Sequence, residues 1–333
     1  RMKCAEHGVR QIDVPWAEEG SRFTALFEML VIDWLHEASF AAVARRLDMI
    51  WDQVAGIQDR AVQRGLARRD LTLPRDIGVD ETSFKRGHDY VTIINDLDPP
   101  GQVLHVVDGR RTEALEDFYK LLGEAGAQQL EHVVMDMWQP YIAATETHAP
   151  QARKVYDKFH IAKHLGDAVD LVRRAEHRAL SAQGDDRLKK TKYLWLRNPE
   201  NMSMSRWREF GELRKSELKV ARAWALKETA MNLWGYQRRG WAERMWNRWY
   251  QWAIRSRLEP IKRVARMIKA HWDGVINAAT TPLTNARAEG LNRKIQWIKR
   301  KACGYRNRER FRMAIYFHLG GLDLYPGALR AHT

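Results

Sequence analysis

The sequence predicts a mixed α/β core carrying a large all-α insertion and preceded by a small all-helical domain. Three observations carry this. Between residues 76 and 157, β-branched runs alternate with helical patterns, and two of those runs deliver a carboxylate: Ile77-Gly78-Val79 leads to Asp80, and Val133-Val134-Met135 to Asp136. From Ile161 to about Asn277 strand signals cease, and the text turns helical, basic and rich in tryptophan. Ahead of both, amphipathic helical patterns succeed one another from Phe23 to Leu66.

In chain order, Cys4-Ala5-Glu6-His7 has the C-x-x-H spacing of half a zinc site. Its partner pair is missing, so Cys4 and His7 alone cannot complete the four ligands of structural zinc. A leftover Cys and His in an exposed tail is the competing reading. The chain opens at Arg1 without a methionine, which suggests a trimmed front. Phe23 to Glu37 is an amphipathic helix with Phe23, Leu26, Phe27, Leu30, Val31 and Trp34 on one face. Ser39 is an N-cap for Phe40 to Leu47, and a third helix runs from about Trp51 to Leu66. Helix, tight turn, helix over 21–73 reads as a helix-turn-helix whose third helix meets DNA through Arg60, Arg64, Arg68 and Arg69. Three-helix packings of no particular function share that pattern.

Pro74 separates this domain from strands at Asp76–Phe84, Tyr90–Asp96 and Gln102–Asp108, with turns at residues 85–88 and 98–101. Thr112 caps a helix from Glu113 to Leu122; the Asp136 strand follows, then a helix from Pro140 to about Thr147 and a strand at Arg153–Asp157. Three antiparallel strands, helix, strand, helix, strand is the order of an RNase-H-like sheet, placed here over 74–160. Residues 161–280 form one inserted bundle, in which Trp241, Trp249 and Trp252 fall at helical spacings and are expected in its core. The final helices, 281–320, carry Glu289 on Thr284 to Lys301; Gly304-Tyr305-Arg306-Asn307 breaks that helix, and 321–333 is a tail.

Composition narrows the function. The 333 residues carry a net charge of +14, which calls for a polyanionic partner. The charge is unevenly spread. Residues 76–160 hold 8 Lys+Arg against 15 Asp+Glu, whereas residues 161–333 hold 37 against 16. An acidic block draws cations and a basic block draws phosphates, the pairing expected of a metal-dependent enzyme on nucleic acid. Two cysteines make no disulfide framework and fit a reducing cytoplasm. No apolar run reaches the roughly 20 residues that span a bilayer.

Two acids at the ends of neighbouring strands and one on a covering helix can share a pair of divalent cations, an arrangement suited to phosphoryl transfer on a nucleic-acid backbone. Each acid has a plainer reading: Asp80 and Asp136 as turn formers, Glu289 as a partner for a helix dipole. Glu81 falls on the opposite face of the strand from Asp80. Asp157 and His160, after the last strand, suit a supporting place behind the ligands. Between Asn285 and Arg312 lie ten cations, among them Arg287, Arg293, Lys294, Lys299, Arg300, Lys301, Arg306 and Arg308, candidates for the phosphate backbone.

Val79-Asp80-Glu81-Thr82, Val134-Met135-Asp136-Met137, Asp157-Lys158-Phe159-His160 and Thr284-Asn285-Ala286-Arg287-Ala288-Glu289-Gly290-Leu291-Asn292, followed by Ala302-Cys303-Gly304-Tyr305-Arg306-Asn307, resemble the DDE transposases of bacterial insertion sequences, more narrowly the ISL-three group. The resemblance runs from Cys4 to about Leu319. It implies an N-terminal zinc ribbon, of which residues 1–20 keep only a last knuckle with His7 where a cysteine is usual. It also implies a helix-turn-helix, an RNase-H-like core, and Asp80, Asp136 and Glu289 as catalytic ligands of two Mg²⁺ (or Mn²⁺), with Asn292 beside them. The implied reaction is cleavage of double-stranded DNA at element ends and 3′-hydroxyl transfer into target DNA, by a homodimer in a bacterial cytoplasm. A transposase-derived DNA-binding regulator without activity, or a nuclease on the same fold, are the rival readings.

Overall fold

Caps and turn residues set where the elements begin. A computed structural model describes residues 2–10, 14–18, 20–69, 74–85, 89–283 and 286–327. The turn at residues 86–88, the motif residues Thr284 and Asn285, the tail beyond 327, and the side chains of Arg287 and Glu289 lie outside the described residues. The chain opens with an antiparallel hairpin, β1 (Met2–Cys4) and β2 (Gly8–Arg10). Thr24 accepts from Phe27 N–H to start α1 (Ala25–Glu37), and Ser39 accepts from Ala42 N–H to start α2 (Phe40–Arg46). Then come α3 (Trp51–Arg68), β3 (Asp76–Lys85), β4 (Asp89–Asp96), β5 (Val103–Asp108) and α4 (Thr112–Gln129). Gly123, at φ 73° and ψ 170°, breaks α4 near where the sequence ends it.

Next are β6 (His132–Met135), α5 (Gln139–His148), β7 (Arg153–Tyr156), α6 (Lys158–Ser181), α7 (Lys192–Leu196), α8 (Met204–Lys215), α9 (Lys219–Met231), α10 (Arg239–Arg255), α11 (Glu259–Ala270) and α12 (Trp272–Thr280). Two helices close the described chain, α13 (Ala286–Lys301) and α14 (Arg308–Leu319), whose start Asn307 caps through Glu309 N–H. The architecture is mixed α/β with many helices, and the chain divides into two compact units: 1–130 with 286–333, and 131–285.

In the first unit β3 pairs antiparallel with β4, and β4 with β5. One hydrophobic core runs through the helical domain and this sheet alike. Val31, Ile32 and Leu35 of α1, Val54, Ile57 and Val62 of α3, Phe84, Val91 and Val106 of the strands, and Ile295, Phe311 and Ile315 of α13 and α14 belong to it. Beside it sits a buried carboxylate, Glu28, 1% exposed, bonded by Ser21 Oγ, Arg60 and Arg64. Arg64 also pairs with Glu18 and donates to Leu324 O, while Arg68 reaches Asp323 and Tyr325 O. Leu322 crosses α3 at Gly65, where a Cβ would lie 2.6 Å from Leu322 Cβ.

In the second unit β6 and β7 are parallel, joined by α5. From α6 to α12 the second unit is helical and stacks rings inside: Trp195, Trp246 and Trp249 are buried, each with its indole N–H donating to an oxygen, of Thr191, Leu233 and Leu226 respectively. Two of the rings expected in the core are not there. Trp241 and Trp252 are 52% and 41% exposed. At 100° per residue they fall about 100° around α10 from the buried face of Ala242, Trp246, Trp249 and Ala253, so spacing alone joined two different faces.

Two predictions follow from this packing. A Cβ on Gly274 of α12 would meet the Tyr156 ring at 2.3 Å. Gly274→Ala is therefore expected to cost about 1–3 kcal/mol in chemical denaturation. The second concerns acid. His105 Nδ1 lies 3.4 Å from the Tyr316 hydroxyl and its pKa is held to about 4 by burial, and burial with Lys301 nearby holds that of His318 to about 3. Both stay neutral in the folded chain and protonate near 6.5 when unfolded, so the unfolded state takes up more protons as pH falls below that value. The first unit's melting temperature should drop as pH falls from about 6.5 towards 4. Gln at both positions should flatten that dependence; an unaltered slope would assign it elsewhere.

Candidate active site

Alternation along β3 aims Asp80, Thr82 and Phe84 at one side, and α13 meets them there. Asp80 Oδ2 accepts from Asn292 Nδ2 at 2.7 Å, Thr82 Oγ1 accepts from Gln296 Nε2 at 3.0 Å, and Lys299 Nζ donates to Ser83 O at 2.7 Å. Phe84 packs on Phe311 of α14. Asp80 Oδ1 accepts from Glu81 N–H. Glu81 itself turns to the other side, where Arg110 lies 3.3 Å away. Position 289 precedes Asn292 by one turn of the same helix. Asn292 thus ties the helix that bears Glu289 to the strand that bears Asp80. Gln296 and Lys299 complete this attachment; nothing in the text around them marks Gln296 for it.

Asp136 lies in the second unit, directly after β6. Its Oδ1 accepts from Met137 N–H, and Oδ2 is 3.4 Å from His160 Nδ1. His160 is in the first turn of α6, whose N-cap is Asp157, accepting from Phe159 N–H; His160 Nε2 is 3.9 Å from Asp157 Oδ2. The side chains singled out after the last strand therefore stand beside Asp136, with Asp157 fixing the helix and His160 reaching the acid. His271, unmarked by any motif, is lowered by burial, against the upward pull of Asp136.

The basic candidates divide. Arg60 and Arg64 are committed to Glu28, Arg68 to the 323–325 segment, and Arg69 to the carbonyls of Val103 and Leu104. Lys301 donates to Leu35 O and His36 O at the end of α1, and Arg308 pairs with Asp89 and Asp108. Together with Lys299 these are internal fastenings, each held by a carboxylate or carbonyl that a phosphate would have to displace. Lys294, Arg300 and Arg306 are exposed, as is Arg293. In the helical domain Arg45 and Arg46 of α2 are exposed as well, though only α3 was expected to meet DNA. At the front, Cys4 Sγ is 3.4 Å from His7 Nδ1 across the β1–β2 turn. Among the described residues no third ligand-bearing side chain joins that pair.

Residues 77–315 match a DDE family described as Transposase, and residues 12–62 the helix-turn-helix domain of transposase family ISL3. The chain belongs to this ISL3 (ISL-three) transposase family, as its motifs led us to expect. It is a DNA transposase, an enzyme that cleaves and joins DNA; the family implies divalent-metal dependence, and the helix-turn-helix implies DNA binding. It is 29% identical to the transposase for insertion sequence element IS1001 of Bordetella parapertussis, over 99% of this chain and 80% of that one. To the transposase for IS1557 of Mycobacterium tuberculosis it is 27% identical, over 92% of this chain and 74% of that one. Among solved structures, the Drosophila P element transposase strand transfer complex aligns over 92% of this chain and 94% of that chain, at a TM-score of 0.46 and 10% identity. No helix among the described residues is long and apolar enough to cross a membrane.

The Asp80–Asn292 bond yields a direct test. Asn292→Ala removes the amide that orients the carboxylate and should slow DNA cleavage about 10–100-fold with little change in melting temperature. Gln296→Ala, whose partner is the neutral Thr82, should leave cleavage within a few-fold of the parent. Equal losses from both would mean that α13 simply packs here.

Proposed function

We propose that this transposase cuts DNA at insertion-sequence ends and joins the freed 3′-hydroxyl to target DNA, on an RNase-H-like core in which Asp80, Asp136 and Glu289 act together. The observation that carries the reading is the 2.7 Å bond from Asn292 to Asp80, which sets the Glu289 helix against the first acid. The family match adds support, because residues 77–315 include all three acids.

Fit to a metal rests on donor chemistry. Asp80 and Asp136 offer half-buried carboxylate oxygens, the donors that Mg²⁺ and Mn²⁺ take. Two such ions held by the three acids would supply Lewis acidity to the attacking and leaving oxygens of the displacement. The protein's own residues do the rest. Asn292 fixes the orientation of Asp80, Asp157 caps α6, and His160 on that helix sets the rotamer of Asp136. No covalent protein intermediate is required, so water and a terminal hydroxyl can use the same acids in turn.

Around this centre we assign residues 21–73 to reading element ends, 74–160 and 281–320 to the core, and 161–280 to an insertion, with 1–20 a zinc-ribbon remnant and 321–333 a tail. Arg293, Lys294 and Arg300 serve the phosphate backbone, with Arg287 at the head of their helix and Arg306 beyond its end. Handling two ends at once calls for a homodimer, and the substrate places the enzyme with the bacterial chromosome in the cytoplasm.

Alanine at Asp80, Asp136 or Glu289 should each lower metal-dependent cleavage and strand transfer by at least about a thousandfold while end binding persists, because what is lost is stabilisation of the transition state. Glu81→Ala should retain most activity. Unimpaired cleavage by any of the three variants would remove that acid from the site. A wild-type chain that binds ends yet never cuts them would be a regulator.

A further inference from the structure

The outer face of α10 lies open. Its inner face buries Ala242, Trp246, Trp249 and Ala253. On the outside, Trp241, Arg244, Arg248, Trp252 and Arg255 fall within about 80° of one another and run for about 21 Å along the axis. All five are exposed, and Arg244 already lies over the Trp241 ring at 4.7 Å. Among the described residues none of the three arginines has a carboxylate partner. Arg239, elsewhere on the helix, shows the contrast: it bonds Glu243, Asp273 and Asn277.

Two exposed indoles separated by guanidinium groups that have no carboxylate partner among the described residues form a surface for one kind of polymer. Indole rings stack on unpaired bases whatever their sequence, and arginine pairs with phosphate while also stacking on planar groups. Duplex DNA keeps its bases stacked internally and offers these rings little. A packed protein helix fits no better, since covering the rings would bury three uncompensated charges.

We propose that the outer face of α10 binds single-stranded DNA, the strand unpaired at an element end as it is cut. The role in cutting rests on the function assigned above; the binding surface does not.

The test uses the full chain, a fluorescent fifteen-residue oligothymidylate and a blunt duplex. The pair Trp241→Ala with Trp252→Ala should bind the oligothymidylate at least about tenfold more weakly, and Phe at both positions should restore affinity to within about threefold. Duplex affinity should be unchanged by either pair. Gln at Arg244, Arg248 and Arg255 should reduce the logarithmic salt slope for the single strand by about two. Parent-like binding by the alanine pair would overturn the proposal. So would an equal loss on duplex, which would make this a duplex surface, or a change confined to sedimentation, which would make it a protein interface. An Asp80→Ala chain that still cleaves would sink the catalytic reading and leave this one standing.

Discussion

Everything at the Asp80 end of the first unit depends on a match of lengths between a strand and a helix. Two residues along a strand advance about 6.7 Å, and four along a helix about 6 Å. Asp80 and Thr82 can therefore meet Asn292 and Gln296 in step, and both hydrogen bonds form. Lys299 continues the series to Ser83 O, and burial lowers its pKa there. Shifting α13 by one residue would carry every donor about 100° away from its acceptor. The register of one helix on one strand thus decides where position 289 stands, although 212 residues separate Asp80 from Asn292.

Much of this was legible in the text. The strands were, because β-branched runs end at Asp80 and Asp136, and so was the cap at Ser39, since a short polar side chain that accepts from the next turn leaves a local trace; Thr112, expected as a cap, is instead the first residue of α4. Asn292 stood out through its motif. Gln296 and His271 did not, because their significance lies only in what the fold carries to them. Tryptophan misled in a particular way: Trp241 and Trp252 share one helical face and Trp249 another, and a spacing count does not say which face meets the core.

Charge shows the same limit from the other side. A guanidinium that holds Glu28 and one that waits for phosphate are the same letter. Arg64 is 8% exposed and enclosed by Glu18 and Glu28, whereas Arg306 lies on the surface, yet both sit in stretches equally rich in arginine. Net charge predicts that a polyanion is bound. It does not say which cations do the binding, because folding claims some of them first.

The fastening of Arg64 to Leu324 O and of Arg68 to Asp323 and Tyr325 O has a consequence for how the protein is made. Chains grow from the N-terminus at about 5–20 residues per second. Helix α3 leaves the ribosome more than ten seconds before its clasp is synthesised, and meanwhile lacks the Arg68 partners, the Leu324 carbonyl and the cover at Gly65. A chain interrupted anywhere before residue 322 would carry the DNA-reading helices without their closure. Completion of the polypeptide is thereby coupled to the finishing of its first-made domain, and truncated products inherit the less settled form.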